Sequence, residues 1–547
     1  MTNKDYTPRG WLLTIAVVAG VVGLGFIPSF ELFGMRIERV DIFSSLRSSR
    51  AGIAEEYTAD FERLEQELAA MESVDVEDVD APIAAEEDVA CEWILSDSLT
   101  VNRDAVCSDS LLPSIEEDVV AIEDFDTLDI SRFDRFIEKL VSGEEVRIAF
   151  LGDSFVEGDI LTQDLRHELQ QLFGGRGVGF VACDIPFATV RKSVKRSSEG
   201  WSSYSVMKPK SAPELLRDKF FVSGYLARGK RGATTRWTTT TTYPTLDSCT
   251  RARVLLMSRD SSRVEVVLND TVRSEMSFAS DEYIRQIYIE APVRTLKLSV
   301  LDGDVLCYGA SLEGNGGVIV DNFSVRSNNG HAIFGTGAQI NRRMDELLGY
   351  DLVVLQYGLN IMQPGQRNFS KYGEQLRNMI AYAERCFPDA AIMVLGVSDR
   401  WVKSDESGEY EPIGSVDALT SYQRAAADSC KVAFWPTSEA MSRRGGMPAF
   451  VANGWAAKDY THINFHGGRQ IAKSLVSAIC QPAYELLVER EEQARREAAE
   501  LERIRRAREL REAERQRSIE AQVAAVSAII DTLAYDIGDE DVIIDEE

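Results

Sequence analysis

The spacing of hydrophobic positions changes several times along the chain, and each change predicts a different kind of element. Residues 11–30 (WLLTIAVVAGVVGLGFIPSF) form an apolar run without a charge. A helix of that length covers about 30 Å, the thickness of a bilayer core, so the run predicts a transmembrane helix. A cleaved signal peptide is the alternative; the bulky Phe26-Ile27-Pro28 stands where small residues would mark a cleavage site. Lys4 and Arg9 precede the run, and Arg36, Arg39, Arg47 and Arg50 come after it, so flanking charge alone does not favour export of the downstream domain. With the tail and span assigned to 1–35, residues 36–125 read as a juxtamembrane segment and an acidic, largely disordered spacer, with one helical stretch at 51–71.

From about residue 126 the pattern alternates between short apolar runs and helical spacing. Residues 130–140 read as an amphipathic helix, 146–151 (VRIAFL) as a strand buried on both faces, and 161–173 as a helix. Residues 201–310 are rich in β-branched residues, and runs such as RARVLLM and RTLKLSVLDG are separated by turn residues, which predicts an inserted β-sandwich without helices, or an elaborated β-region of one single domain. The alternation then returns: strands at GVIVDNFSV, DLVVLQ, AIMVLGV and 431–435, and helices at 341–348, 372–386, 419–429 and 467–479. This predicts an α/β fold, a three-layer parallel sheet with helices on both faces. Its two parts, 126–200 and 311–482, flank the insert. Residues 483–535, rich in Glu, Arg and Ala, predict a charged helix braced by i,i+4 pairs, or a weak coiled coil offering a surface to a protein partner. An acidic, disordered tail is expected at 536–547.

Charge and rare residues narrow the chemistry. The formal net charge of −28 repels nucleic acid, so no nucleic-acid partner is expected. None of the eight cysteines forms a C-x-x-C pair, which disfavours a zinc knuckle or a thioredoxin-like site. Cys91 and Cys107, in a polar stretch, are the expected disulfide if the chain is exported. The four histidines show no metalloenzyme spacing, and GGRGVG lacks the Lys-Ser/Thr of a phosphate loop, so neither metal nor cofactor is expected.

Three segments carry candidate chemistry. Gly152-Asp153-Ser154 follows a buried strand directly, where an open α/β sheet binds its ligands; the serine could equally cap the next helix. Gly358 and Asn360, in QYGLN after DLVVLQ, can offer close backbone approach and an amide donor to an oxyanion, or form a plain turn. Asp459 and His462, three residues apart before the last helix, can form the oriented base that a serine nucleophile needs, or stand on a surface loop. His466 reads as a polar residue starting that helix.

In order and composition these segments resemble blocks I, III and V of the SGNH (GDSL-like) hydrolase family, over about residues 140–480. The resemblance implies a flavodoxin-like sheet, with Ser154 as nucleophile, His462 as general base then acid, and Asp459 as its orienting carboxylate. It also implies an oxyanion hole from the Ser154 backbone N–H, the Asn360 amide, Gly358 as access, and a block II residue in DNFSVRSNNG. There the family has a glycine and this chain has Ser327, with Gly330 nearby. FGGRGVGFV (173–181), the β-rich insert between blocks I and II, and DYTHINFHGG are similar to features of peptidoglycan O-acetylesterases. The implied substrate is an O-acylated cell-wall or exported glycan, with the catalytic domain periplasmic or extracytoplasmic on a single-pass anchor. An O-acetyltransferase, or a weakly active glycan-binding scaffold, are the alternatives.

Overall fold

The computed structural model describes residues 30–32, 35–37, 92–96, 106–186, 191–404 and 406–538. The expected span at 11–30 apart from its last residue, the helical stretch at 51–71, Cys91 and most of the acidic tail lie outside these residues. No helix among the described residues is long and apolar enough to cross a membrane. Within residues 1–88, Phe30–Leu32 and Met35–Ile37 pair antiparallel.

Residues 89–547 form the second unit. At its centre is a six-stranded sheet in the order Val318–Ser324, Val146–Gly152, Leu352–Gln356, Ala391–Leu395, Ala433–Trp435 and the short edge strand Glu123–Asp124. The first five run parallel, and only the edge strand is antiparallel. Counted in chain order the five give the succession 2-1-3-4-5, the flavodoxin-like arrangement. These strands have apolar residues on both faces because helices cover both. Ile148, Phe150, Leu352 and Val354 face a core shared with the helices Arg132–Val141, Thr162–Phe173 and the start of Phe465–Gly538. Ala149, Leu151, Val353 and Leu355 face a second core with Ala338–Leu348 and Ser370–Cys386. The helix Arg132–Val141 starts at a capping box, in which Ser131 accepts from the Asp134 N–H and Asp134 from the Ser131 N–H.

The β-rich region is an antiparallel sheet that begins at Gly179–Ala182 and ends at Asp304–Glu313. The strand Val194–Ser205 and the long strand Tyr225–Thr239 carry it, and Glu92–Ser96 adds to its edge in parallel with Ile284–Val293. Alternate residues of Cys249–Ser258 explain how it attaches. Ala252, Val254 and Leu256 face the region's own core, while Leu255 and Met257 face the second core of the α/β sheet. One layer of the insert is therefore buried on both sides, and the insert is joined to the central sheet through shared apolar packing.

Two expectations need correction. Part of the expected disordered spacer, residues 106–125, packs on the domain. Leu111 is fully buried, Val120 O accepts from Trp435 Nε1 at 2.9 Å, and Glu116 N donates to Ser477 Oγ at 2.7 Å. Its acidity hid the few apolar anchors that make it fold. The expected closing helix at 467–479 and the separate charged helix at 483–535 are one helix, Phe465–Gly538, with Pro482 inside. The proline forfeits one helical hydrogen bond, but Ala478 and Ala483 around it are buried in the domain. The change of composition near 482 marks where the helix leaves the domain, not where it ends. Beyond residue 491 its described side chains are exposed, and i,i+4 pairs such as Glu502–Arg506 at 2.6 Å brace it.

Candidate active site

The strand order reverses between Val146–Gly152 and Leu352–Gln356, and at such a switch point an open α/β sheet binds its ligands beyond the carboxyl ends of the strands. Gly152 ends the first of them. A Cβ there would sit 2.4 Å from Val156 Cγ2 and 2.9 Å from Gln356 Oε1, so glycine lets the chain turn tightly beside its neighbour. Asp153 follows, fully buried. Its carboxylate accepts from Phe155 N at 2.9 Å and from Asn360 Nδ2 at 3.1 Å. Ser154 is half-buried, and its hydroxyl has no hydrogen-bond partner among the described residues. Burial pushes the Asp153 carboxyl up to about 7, opposed by the Phe155 N–H and by the charge of His462.

Gly358 closes the second strand at φ 132°, ψ −25°. That conformation favours glycine, and it swings Leu359–Ile361 into a short turn that points Asn360 back at the first strand. The Asn360 amide donates both to Asp153 and to Asn328 O, the latter at 3.1 Å. Asn328 belongs to the turn after Val318–Ser324, closed by Asn328 N donating to Val325 O at 3.3 Å. Ser327 takes the third position of that turn with φ 61°, where the sequence resemblance expected a glycine. The turn is fixed to the nucleophile segment twice: Val325 N donates to Gly152 O at 2.9 Å, and Arg326 pairs with Glu157 at 2.6 Å.

Asp459 and His462 share one loop, and the local pair expected from their spacing forms. Nδ1 of His462 lies 2.7 Å from Asp459 Oδ2, and the backbone N–H groups of Thr461 and His462 donate to Asp459 Oδ1, each at 3.0 Å. Burial alone would raise the Asp459 carboxyl, but these hydrogen bonds bring it down to about 2. A carboxylate on Nδ1 leaves Nε2 as the basic nitrogen. Tyr460, at φ 54°, supplies the kink that lets the aspartate reach its own loop.

Residues without a sequence signal hold this loop against the others. Trp401 N donates to Tyr460 O at 3.0 Å, and Arg400 Nη1 to Leu359 O at 3.2 Å. Tyr410, on the hairpin formed by Trp401–Lys403 and Tyr410–Pro412, stacks on Tyr460 at 4.1 Å. Ser154, Ser327, Gly358 and Asn360 thus meet around Asp153 and Asn328, and the Asp459–His462 loop is tethered to them through Arg400. No hydrogen bond joins His462 Nε2 to Ser154 Oγ; such bonds commonly tighten only around a bound substrate. His466 stands outside this group, at the first turn of the last helix, where its N–H donates to the Asn464 side chain.

A solved structure of a peptidoglycan O-acetylesterase matches this chain with a TM-score of 0.54 and 21% sequence identity, over 67% of this chain and 99% of that one. A family two carbohydrate esterase from Cellvibrio japonicus (9% identity, 44% of this chain and 86% of that chain, TM-score 0.17) and a lipase/acylhydrolase from Enterococcus faecalis (13%, 30% and 76%, 0.23) are more remote and carry no weight. No protein-family model matches the sequence, and no curated protein does. The likeness to that structure shows the fold: a parallel α/β sheet covered by helices, with an inserted antiparallel β region.

Proposed function

We propose that the chain is a serine esterase that removes O-acetyl or similar short acyl groups from a cell-wall or exported glycan. What supports this reading is the Asn360 amide bonded to Asp153 beside Ser154, together with an Asp459–His462 pair whose loop is tethered through Trp401 and Arg400 to the turn that carries Asn360. Ser154 Oγ attacks the acyl carbonyl carbon while His462 Nε2 takes its proton. The carbonyl oxygen, now negative, is held by backbone N–H groups at Ser154 and Ser327 and by the Asn360 amide. The C–O bond to the sugar breaks, and His462 returns the proton to the leaving hydroxyl. Water, deprotonated by His462, then releases the acid from the acyl-serine and restores Ser154. Asp459, ionised at any pH above about 2, keeps the imidazole oriented and stabilises its charged form.

One observation favours a second reading, a glycan-binding protein with little turnover: the Asn360 amide is already engaged by Asp153 and Asn328 O. Hydrolysis of p-nitrophenyl acetate by the full chain decides between them. The esterase reading expects steady turnover that falls by about 10⁴-fold or more in Ser154→Ala, with an unchanged melting temperature. No turnover by the folded chain would leave the binding reading. The uncharged run at 11–30 supports a single-pass anchor, and a cell-wall or exported substrate implies that the anchored domain stands outside the cytoplasm. Protease added to intact cells should then digest the domain without lysis.

A further inference from the structure

Beside the candidate active site lies a cavity of about 290 Å³, near the lower end of ligand pockets and roughly the room of one sugar ring. One wall is the turn that follows Ser154, Glu157 to Asp159, with Asn322 and Ser324 from the strand that leads to Ser327. The opposite wall comes from the β insert, with Arg191, Lys195 and Arg196. Ser223 and Tyr225 complete it.

The charges on these walls do not balance. Asp159 is occupied: Arg166 and Arg191 pair with it at 3.3 and 2.7 Å, and Ser193 and Thr162 donate to it. Burial alone would raise its pKa; the two guanidiniums hold it well below the usual carboxylate range. Glu157 is paired with Arg326, and Asp184 nearby accepts from Ser198 and Ser203, each at 2.5 Å. Arg196 and Lys195 are left with no carboxylate at ion-pair distance among the described residues. The buried atoms Arg196 Nη1, Arg191 Nη2 and Ser223 Oγ have no hydrogen-bond partner among them either. Arg196 feels the charge of Asp184 but has no carboxylate in contact; a half-buried guanidinium so placed is costly, and three unanswered donor atoms line one cavity.

Resting on the esterase reading, we propose that this cavity is a subsite for a carboxylate-bearing sugar neighbouring the acylated one, so that the preferred substrate is an acidic glycan. Arg196 and Arg191 Nη2 offer the planar N–H donors that suit the two oxygens of a carboxylate. Lys195 adds charge, Ser223 a neutral donor, and Val194 and Tyr225 an apolar wall for the ring face. The subsite joins the insert to the catalytic turn and gives the insert a part in choosing substrate.

The test compares an O-acetylated oligogalacturonide with a neutral O-acetylated xylo-oligosaccharide of equal length, using the full chain. We expect kcat/KM to favour the acidic ester by at least about tenfold, through KM. Arg196→Gln should remove most of that preference by raising KM for the acidic ester alone. If Arg196→Gln does not fold, Lys195→Gln, at an exposed position, should shift the preference in the same direction. Equal kcat/KM for the two esters in the unmodified chain, or a preference unchanged in the folded variants, overturns the proposal. Calorimetric titration of Ser154→Ala with the same oligogalacturonide separates the two readings. Binding to Ser154→Ala that needs Arg196, with no ester hydrolysed by the unmodified chain, keeps the subsite and ends the esterase reading; turnover by the unmodified chain without that binding does the reverse.

Discussion

The strand Val146–Gly152 is buried along its whole length, yet polar groups fare differently at its two ends. At the amino end Arg147 is fully buried and fully answered. It donates to Asp321 at 2.8 Å, to Glu313 at 2.8 Å and to Ser311 at 2.5 Å. Tyr350 OH and Phe180 N donate to the same Asp321, and Arg251 donates to the same Glu313. These partners come from the central sheet and the insert, so the network clamps one to the other. At the carboxyl end Asp153 is buried with its pKa raised to about 7. Gln356 is buried with neither amide atom partnered among the described residues, and Ser154 Oγ has no partner. At one end of the sheet buried charges are neutralised by one another, whereas beside the candidate nucleophile at the other end the Gln356 amide and the Ser154 hydroxyl are left short of partners.

Removing a member of the clamp should have the largest effect on stability. Arg147→Met leaves Asp321 and Glu313 as buried carboxylates without their shared cation, which costs about 3–5 kcal/mol. Urea unfolding should show this loss, while kcat on p-nitrophenyl acetate per folded molecule stays within a small factor. A loss below about 1 kcal/mol would mean that the apolar layer around Leu255 and Met257 alone holds the insert, and the contrast between the two ends would fail.

At the other end the expected effects fall on rate. Asn360→Ala removes one oxyanion donor, and kcat should drop by about 10²–10³-fold, with a much smaller change in stability than Arg147→Met brings. An unchanged kcat would show that the amide only braces Asp153 and Asn328 O, which is the arrangement observed.

Asp153 should make the active end sensitive to pH. Its pKa rises from 3.8 to about 7 on folding, so between these values the folded chain binds a proton that the unfolded chain has released. The associated stabilisation is complete below about pH 4 and is lost as pH rises through about 7. Urea midpoints should therefore fall between pH 5 and pH 8, and Asp153→Asn should flatten the upper part of that slope. Asp345, raised by burial to about 6, and Asp351 and Asp399, also raised by burial, contribute to the part that remains. A slope unchanged in Asp153→Asn would mean that this carboxyl is solvated well enough to titrate normally.

The sequence was legible where one local rule suffices. Continuous apolar runs such as VRIAFL and LVVLQ mark strands covered on both faces, and the residues that end them form the site. The Asp459–His462 pair was legible because both partners sit on one loop. What was hidden depends on distant partners. Residues 106–125 read as spacer because acidity outweighs Leu111 and Val120, whose value lies in their contact with the far end of the chain. Arg400 and Tyr410 carry no motif, and their part in positioning the Asp459–His462 loop comes only from the hairpin beneath Tyr460. The expected break near Pro482 failed because helix continuity there rests on burial of Ala478 and Ala483.

Ser327 gives the smallest test of the comparison. The position is exposed, and its backbone has the positive φ that the third residue of such a turn adopts readily only as glycine. For an L-residue that conformation costs roughly 1–2 kcal/mol, part of which Ser327→Gly would give back as extra freedom of the unfolded chain. The net gain should be about 0.5–1 kcal/mol, read as a raised urea midpoint. The backbone N–H assigned to the oxyanion hole is retained, so kcat should hold or rise. A lower midpoint would show that the serine side chain contributes to the turn. Strain would then be absent at the one site residue where this chain departs from the SGNH motif pattern, and unpartnered polar atoms alone would distinguish the active end from the clamped one.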